Sequence, residues 1–281
     1  MQTATRQNPD RGSALALWLA WPGDLAGPGA EEDCAAILDD GERARAARFR
    51  FDIHRREFLA THALMRVALS HAYPLPPQAW SYTLNPYGKP SPLPECGLRF
   101  NLSNSVALAV CLVARAGERA GAAAAEVGVD VEACARAAEI VPLAPRVFSA
   151  AERAQLDALP AADRPDRALS LWTLKEAYIK ARGMGLALPL QGISFLFDGA
   201  GQIRFEVEPA VDTEPARWRF CQLNQDGHRI AMAVEAAVAG SVEFFTARPP
   251  LAPPKRLAGG LPSWFSTVAA AGSLELASPG A

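Results

Sequence analysis

The sequence has no long hydrophobic run, no C-x-x-C pair, no excess of either charge and no glycine-rich phosphate loop. Each lack excludes something. The longest apolar stretches, around Ala14–Trp21 and Val106–Ala114, fall far short of the ~20 residues that a membrane-spanning helix requires. With 28 basic against 30 acidic side chains and a formal net charge of −2, the chain is not a strongly basic nucleic-acid binder. Its cysteines (34, 96, 111, 134 and 221) are odd in number and widely spaced. That pattern fits neither a disulfide framework nor a structural zinc site, and it points to free thiols in a reducing compartment. Arg6 and Arg11 ahead of SALALWLAW imitate the start of a signal peptide, but WPGD follows with no small-residue cleavage pattern, so a first strand in the cytoplasm is expected. Half of the residues are apolar, enough to bury a core, which excludes disorder of the whole chain.

What is present alternates between helical and strand periodicities. Leu15, Leu17 and Leu19 predict an opening strand, and residues 31–73 predict at least two arginine-rich helical pieces, the last ending before Pro74. YTLNPYGKPSP reads as turns, and LRFNLSNS leads into a strand VALAVCLVA. ARAGERAGAAAAE is the best candidate for a connection between two halves, spanning 13–120 and 121–247. In the second half, Val127, Val129 and Val131 alternate as in a strand. Ser149 and Glu152 form an S-x-x-E capping box ahead of a helix, and RALSLWTLKEAYIKARG is a second helix stopped by Gly183. Two or three antiparallel strands follow to about Val238, and residues 248–281, rich in Pro, Ala, Gly and Ser, read as a loosely ordered tail.

Two clusters can carry chemistry. In Gly128-Val129-Asp130-Val131-Glu132, residues two apart on a strand point the same way, so Asp130 and Glu132 share a face ~6.6–6.8 Å apart along the backbone. Such a pair can seat Mg²⁺, which takes oxygen ligands, or can simply face water from a half-exposed strand. In Trp172-Thr-Leu-Lys175-Glu176-Ala-Tyr178-Ile179-Lys180, Glu176 and Lys180 are i, i+4 neighbours on one helix face. They are either a surface ion pair or a third metal ligand with a cation aimed at a phosphate.

Taken in order, GVDVE, F-S-x-x-E and W-x-x-K-E-A-Y-x-K-x-x-G-x-G-L resemble the 4′-phosphopantetheinyl transferase superfamily, specifically its long surfactin-synthetase-activating type. YGKP and FNLSNS fall where that family has its Gly-Lys-Pro and F-N-x-S-H-S segments, so the likeness runs from about Arg43 to Leu190. The resemblance implies an α+β fold, a pseudo-dimer of two similar halves with the active site in the cleft between them, and a monomer. It implies an enzyme that moves the phosphopantetheine arm of coenzyme A onto a serine of an apo acyl or peptidyl carrier protein, with Mg²⁺ as cofactor and 3′,5′-ADP as product. By motif position, Asp130, Glu132 and Glu176 match the metal site, with Glu176 and Lys180 as catalytic groups. Lys89, Ser103, Asn104 and the loosely spaced Arg43, Arg45 and Arg48 match contacts to coenzyme A, and Lys175 is placed against phosphate or solvent. Asn104 stands where the family has histidine and carries no charge. Glu152 is assigned to capping rather than to the metal. A non-catalytic carrier-protein-binding module on the same fold is the competing reading, and intact Asp130, Glu132, Glu176 and Lys180 speak against it.

Overall fold

The computed structural model describes residues 13–25, 28–116, 125–198, 203–248 and 254–257. In chain order the strands are β1 (Leu15–Ala20), β2 (Ser81–Leu84), β3 (Pro90–Leu93), β4 (Leu98–Ser105), β5 (Leu108–Arg115), β6 (Val127–Ala133), β7 (Ile193–Phe197), β8 (Ile203–Val207), β9 (Trp218–Gln225), β10 (His228–Glu235), β11 (Val242–Thr246) and β12 (Lys255–Leu257). The helices are α1 (Ala30–Ala36), α2 (Asp40–Ala46), α3 (Asp52–Ala72), α4 (Ala137–Ile140), α5 (Ala144–Val147), α6 (Ala150–Asp157) and α7 (Arg164–Arg182).

Two sheets face each other. One has the order β12-β11-β1-β5-β4 and the other β6-β10-β9. Strict alternation supplies the shared core: Leu15, Leu17, Leu19, Val110 and Leu112 from the first sheet meet Val127, Val129, Val131, Ile230 and Met232 from the second. Each fully buried valine or leucine contributes about 1.5–3 kcal/mol. Helices cover the outer faces. On the first sheet, α3 lays Leu64, Met65, Ala68 and Leu69 against Trp18, Phe100 and Cys111. On the second, α7 packs Leu174, Ala177, Tyr178 and Ala181 against an aromatic layer of Phe195, Phe205, Trp218 and Phe220.

Local signals explain most boundaries. The backbone at Tyr73 is extended, as a residue before proline prefers, and this ends α3. Ser149 and Glu152 form the expected reciprocal cap of α6. Gly183, at φ 64°, ends α7 in the left-handed conformation that glycine adopts without strain. A second capping box, Asp39 with Glu42, starts α2, and Arg66 reaches across from α3 to both carboxylates at 2.9 and 2.6 Å.

Three expectations are corrected. LRFNLSNS does not merely lead into a strand; it is β4 itself, paired along its length with β5. The expected division places residues 242–247 in the second half, yet β11 runs parallel to β1 in the first sheet. Within the expected tail, Lys255–Leu257 adds an edge strand to β11. Residues 117–124 of the expected connection, and 249–253 and 258–281 of the expected tail, lie outside the described residues. Among the described residues no helix is long and apolar enough to cross a membrane.

Candidate active site

The site begins with a missing side chain. A Cβ on Gly128 would lie 2.1 Å from the carbonyl oxygen of Ala177 and 2.4 Å from the amide nitrogen of Ala181. Glycine therefore lets the backbone of α7 settle directly on β6. Asp130 and Glu132, on the same face of β6 as Gly128, are thereby brought beside Glu176 and Lys180, the neighbours in sequence of Ala177 and Ala181.

Each strand carboxylate is anchored through one oxygen. Asp130 Oδ1 accepts from Ser103 Oγ at 3.0 Å and from Lys180 Nζ at 2.7 Å, whereas Oδ2 is buried with no partner. Glu132 Oε2 accepts from Ser105 Oγ at 2.7 Å and from an Arg136 guanidinium nitrogen at 3.0 Å. Among the described residues Glu176 has no side-chain hydrogen-bond partner. Burial and then the nearby negative charges of Asp130 and Glu132 push its pKa up, with Lys180 opposing them. The donor set is all hard oxygen with excess negative charge, which suits a magnesium ion. The buried, unpaired Oδ2 of Asp130 also fits a cation-facing position. Among the described residues no three His, Cys, Asp or Glu side chains already stand in metal-holding arrangement.

A count of donors separates the three lysines. Lys180 uses two N–H groups, on Asp130 and on Ser103 at 2.8 Å, and its side chain is 27 % exposed. Lys175, expected against phosphate or solvent, is at neither: it is buried, paired with Glu152 at 2.7 Å, and bonded to the carbonyls of Leu190 and Ile193. Burial raises the pKa of Glu152 and lowers that of Lys175, with the mutual attraction opposing both shifts. Glu152 thus caps α6 and neutralises Lys175, and also accepts from the Phe195 amide at 2.8 Å. Lys89, expected at a phosphate, spends its ammonium on Glu126, on the carbonyl of Val127 at 3.2 Å and on that of Ala181 at 2.7 Å. Beside it, Asn85 donates to the carbonyl of Gly183 at 2.7 Å. The turn bearing YGKP is therefore a strut that ties the start of β6 to the end of α7.

The remaining expected contacts are dispersed. Ser103 faces the carboxylates and its hydroxyl is fully used within the protein, donating to Asp130 and accepting from Lys180 and the Val131 amide. Asn104, one residue further along β4, is exposed and points the other way, so the two do not share a contact. Arg43 folds back onto the carbonyls of Leu38 and Ala35 and onto Asp40, leaving it committed to its own helix region. Arg45 lies over the Phe58 ring, 5.2 Å from its centre, and Arg48 is exposed; neither is hydrogen-bonded to the carboxylate cluster. The roles of Gly128, Asn101, Ser105 and Arg136 were not drawn from the sequence. The available signal was the N-x-S-x-S spacing, which on a strand puts three polar side chains on one face.

Comparison with known families matches residues 126–233, the segment holding both clusters, to the 4′-phosphopantetheinyl transferase superfamily. Across 76 % of its length the chain is 32 % identical to the 4′-phosphopantetheinyl transferase HetI of Nostoc sp., covering 85 % of that protein. It is 29 % identical to the 4′-phosphopantetheinyl transferase Sfp of Bacillus subtilis over 61 % of this chain and 72 % of that one. Among solved structures, a holo-(acyl-carrier-protein) synthase from Bacillus anthracis in complex with CoA (3′,5′-ADP) is similar over 39 % of this chain and 94 % of its own, at 17 % identity and a TM-score of 0.33. The chain belongs to the 4′-phosphopantetheinyl transferase superfamily.

Proposed function

We propose that the protein transfers the phosphopantetheine arm of coenzyme A to a serine of an apo acyl or peptidyl carrier protein, at a site between two α+β halves of a pseudo-dimer. The observation that carries this reading is the pairing of Asp130 with Lys180, which among the described residues uses two of its three N–H groups, beside a carboxylate, Glu176, with no hydrogen bond to any described residue. In the reaction a serine oxygen forms a bond to the phosphorus attached to pantetheine, the pyrophosphate P–O bond breaks, and 3′,5′-ADP leaves. The serine proton goes to a base within hydrogen-bond reach, a role that unpartnered Glu176 suits. Charge building on the departing phosphate is met by the remaining donor of Lys180, since lysine serves as a point charge for phosphate.

Asp130, Glu132 and Glu176 would hold the Mg²⁺ ion, which when bound neutralises charge on the pyrophosphate. Asp130 presents Oδ2 for this purpose, already stripped of water by burial. The test is direct: incubation with coenzyme A, Mg²⁺ and an apo carrier domain should add the mass of one phosphopantetheine to the carrier. Asp130→Ala and Glu176→Ala should abolish the addition while leaving the fold intact. Transfer at near-normal rate by Asp130→Ala at saturating Mg²⁺ would remove this assignment.

A further inference from the structure

The strand carrying Asp130 and Glu132 is held along its free edge by side chains of β4. Asn101 Oδ1 accepts from the Val129 amide at 2.9 Å, Ser103 Oγ from the Val131 amide at 3.3 Å, and Ser105 Oγ from the Ala133 amide at 3.2 Å. The contacts advance two residues at a time on both strands, so β4 and β6 run side by side in the same direction. Their backbones do not pair; among the described residues β6 bonds only to β10 and β4 only to β5. A comb of three side chains thus satisfies amide groups that a neighbouring strand would otherwise take.

Two teeth of the comb also grip carboxylates, in a repeated pattern. Asp130 has one oxygen held by Ser103 and a cation, Lys180, and its other oxygen bare. Glu132 has Oε2 held by Ser105 and a cation, Arg136, and among the described residues no hydrogen bond on Oε1. The hydroxyl of Ser105 donates to Glu132 while accepting from the Ala133 amide, so both its bonds fix its direction. We propose that Ser105 is a positioning residue: it locks the rotamer of Glu132 through Oε2 and leaves Oε1 for the divalent cation that the three carboxylates would hold, as Ser103 leaves Asp130 Oδ2. Asn101 completes the comb without touching a carboxylate and acts on stability alone. This inference rests on the metal-dependent reading above.

The experiment measures Mn²⁺ binding without turnover, by the loss of the free-ion electron paramagnetic resonance signal, beside thermal unfolding and transfer kinetics. Residues that orient metal ligands typically contribute ~10–100-fold in metal affinity or activity. Ser105→Ala should weaken Mn²⁺ by roughly 10-fold and raise the Mg²⁺ concentration needed for half-maximal rate, with the KM for coenzyme A unchanged. Ser105→Thr, which keeps the hydroxyl, should restore both. Asn101→Ala should lower the melting temperature yet bind Mn²⁺ as the wild type does. Unaltered Mn²⁺ affinity in Ser105→Ala, or an equal loss in Asn101→Ala, overturns the proposal. If the wild-type protein transfers phosphopantetheine and binds Mn²⁺, such a result removes only the role of Ser105; if it does neither, the underlying reading falls as well.

Discussion

Replacing Gly128 with alanine tests whether contact between β6 and α7 builds the site. The added Cβ would meet the Ala177 oxygen at 2.1 Å and the Ala181 nitrogen and Cα at 2.4 and 2.9 Å. All three are backbone atoms inside α7, so no side chain can swing away. The helix must withdraw by roughly 1 Å, and overpacking of this kind costs ~1–3 kcal/mol. At about 2–4 °C per kcal/mol for a chain of this size, the melting temperature should fall by roughly 2–12 °C. The same withdrawal carries Glu176 and Lys180 away from β6 and stretches the 2.7 Å bond from Lys180 to Asp130. A misplacement of ~1 Å can cost on the order of 10²-fold in rate. The assay is initial rate of carrier modification beside a melting curve, with Gly23→Ala as control, because nothing lies within 4 Å of a Cβ there. A Gly128→Ala protein with wild-type rate and stability would refute the close-contact argument.

Other outcomes follow from single contacts. Lys89→Met should lower the melting temperature, since charged hydrogen bonds contribute ~1.5–3 kcal/mol each, and should lower kcat by the same factor with coenzyme A and 3′-dephospho-coenzyme A. A rise in KM seen with coenzyme A alone would instead place Lys89 at the 3′-phosphate. Burial alone would raise the pKa of Glu42, but bonds from His62, the Asp39 amide and Arg66 outweigh it and hold the group below its ordinary value of 4.5. Its stabilising effect is therefore complete above pH 4.5 and is lost as pH falls through the lower folded-state value. Glu42→Gln should cost about 1–3 kcal/mol at neutral pH, by removing one of the two carboxylates that neutralise buried Arg66, and should flatten the acid limb of a stability–pH curve. Burial pushes the thiols of Cys34 and Cys221 up to about 12 and raises that of Cys111 as well, so a thiol reagent should find Cys96 and Cys134 in the native protein and all five cysteines after unfolding.

Local signals were legible in the sequence, and contacts between distant segments were not. The α6 cap and the stop at Gly183 involve neighbours within a few residues, and the side of β6 that bears Asp130 and Glu132 follows from alternation alone. Lys175 illustrates the opposite case. Helical geometry places it a quarter-turn from Glu176, but only the folded chain brings Glu152 and two carbonyls to it. For Lys89 the motif implies a phosphate contact, but only the folded chain brings its ammonium to the carbonyls of Val127 on β6 and Ala181 on α7. The N-x-S-x-S pattern of β4 displayed its shared face, but the strand it would grip belonged to the other sheet. The departure of β11 from its expected half has the same origin, since parallel pairing leaves no local turn to announce it.

That returning strand bears on how the protein is made. β1 lies between β5 and β11, and β11 arrives only after both strand pairs of the second half have been synthesised. A ribosome adding ~5–20 residues per second needs roughly 11–44 s to travel from β1 to β11. Throughout that interval Leu15–Ala20 has one backbone edge without its parallel neighbour, and unpaired edges invite association with other chains. The first sheet therefore cannot be completed until the strands of the second have been made, and a nascent chain stalled before Val242 would carry its transferase residues on a body whose central strand is still open.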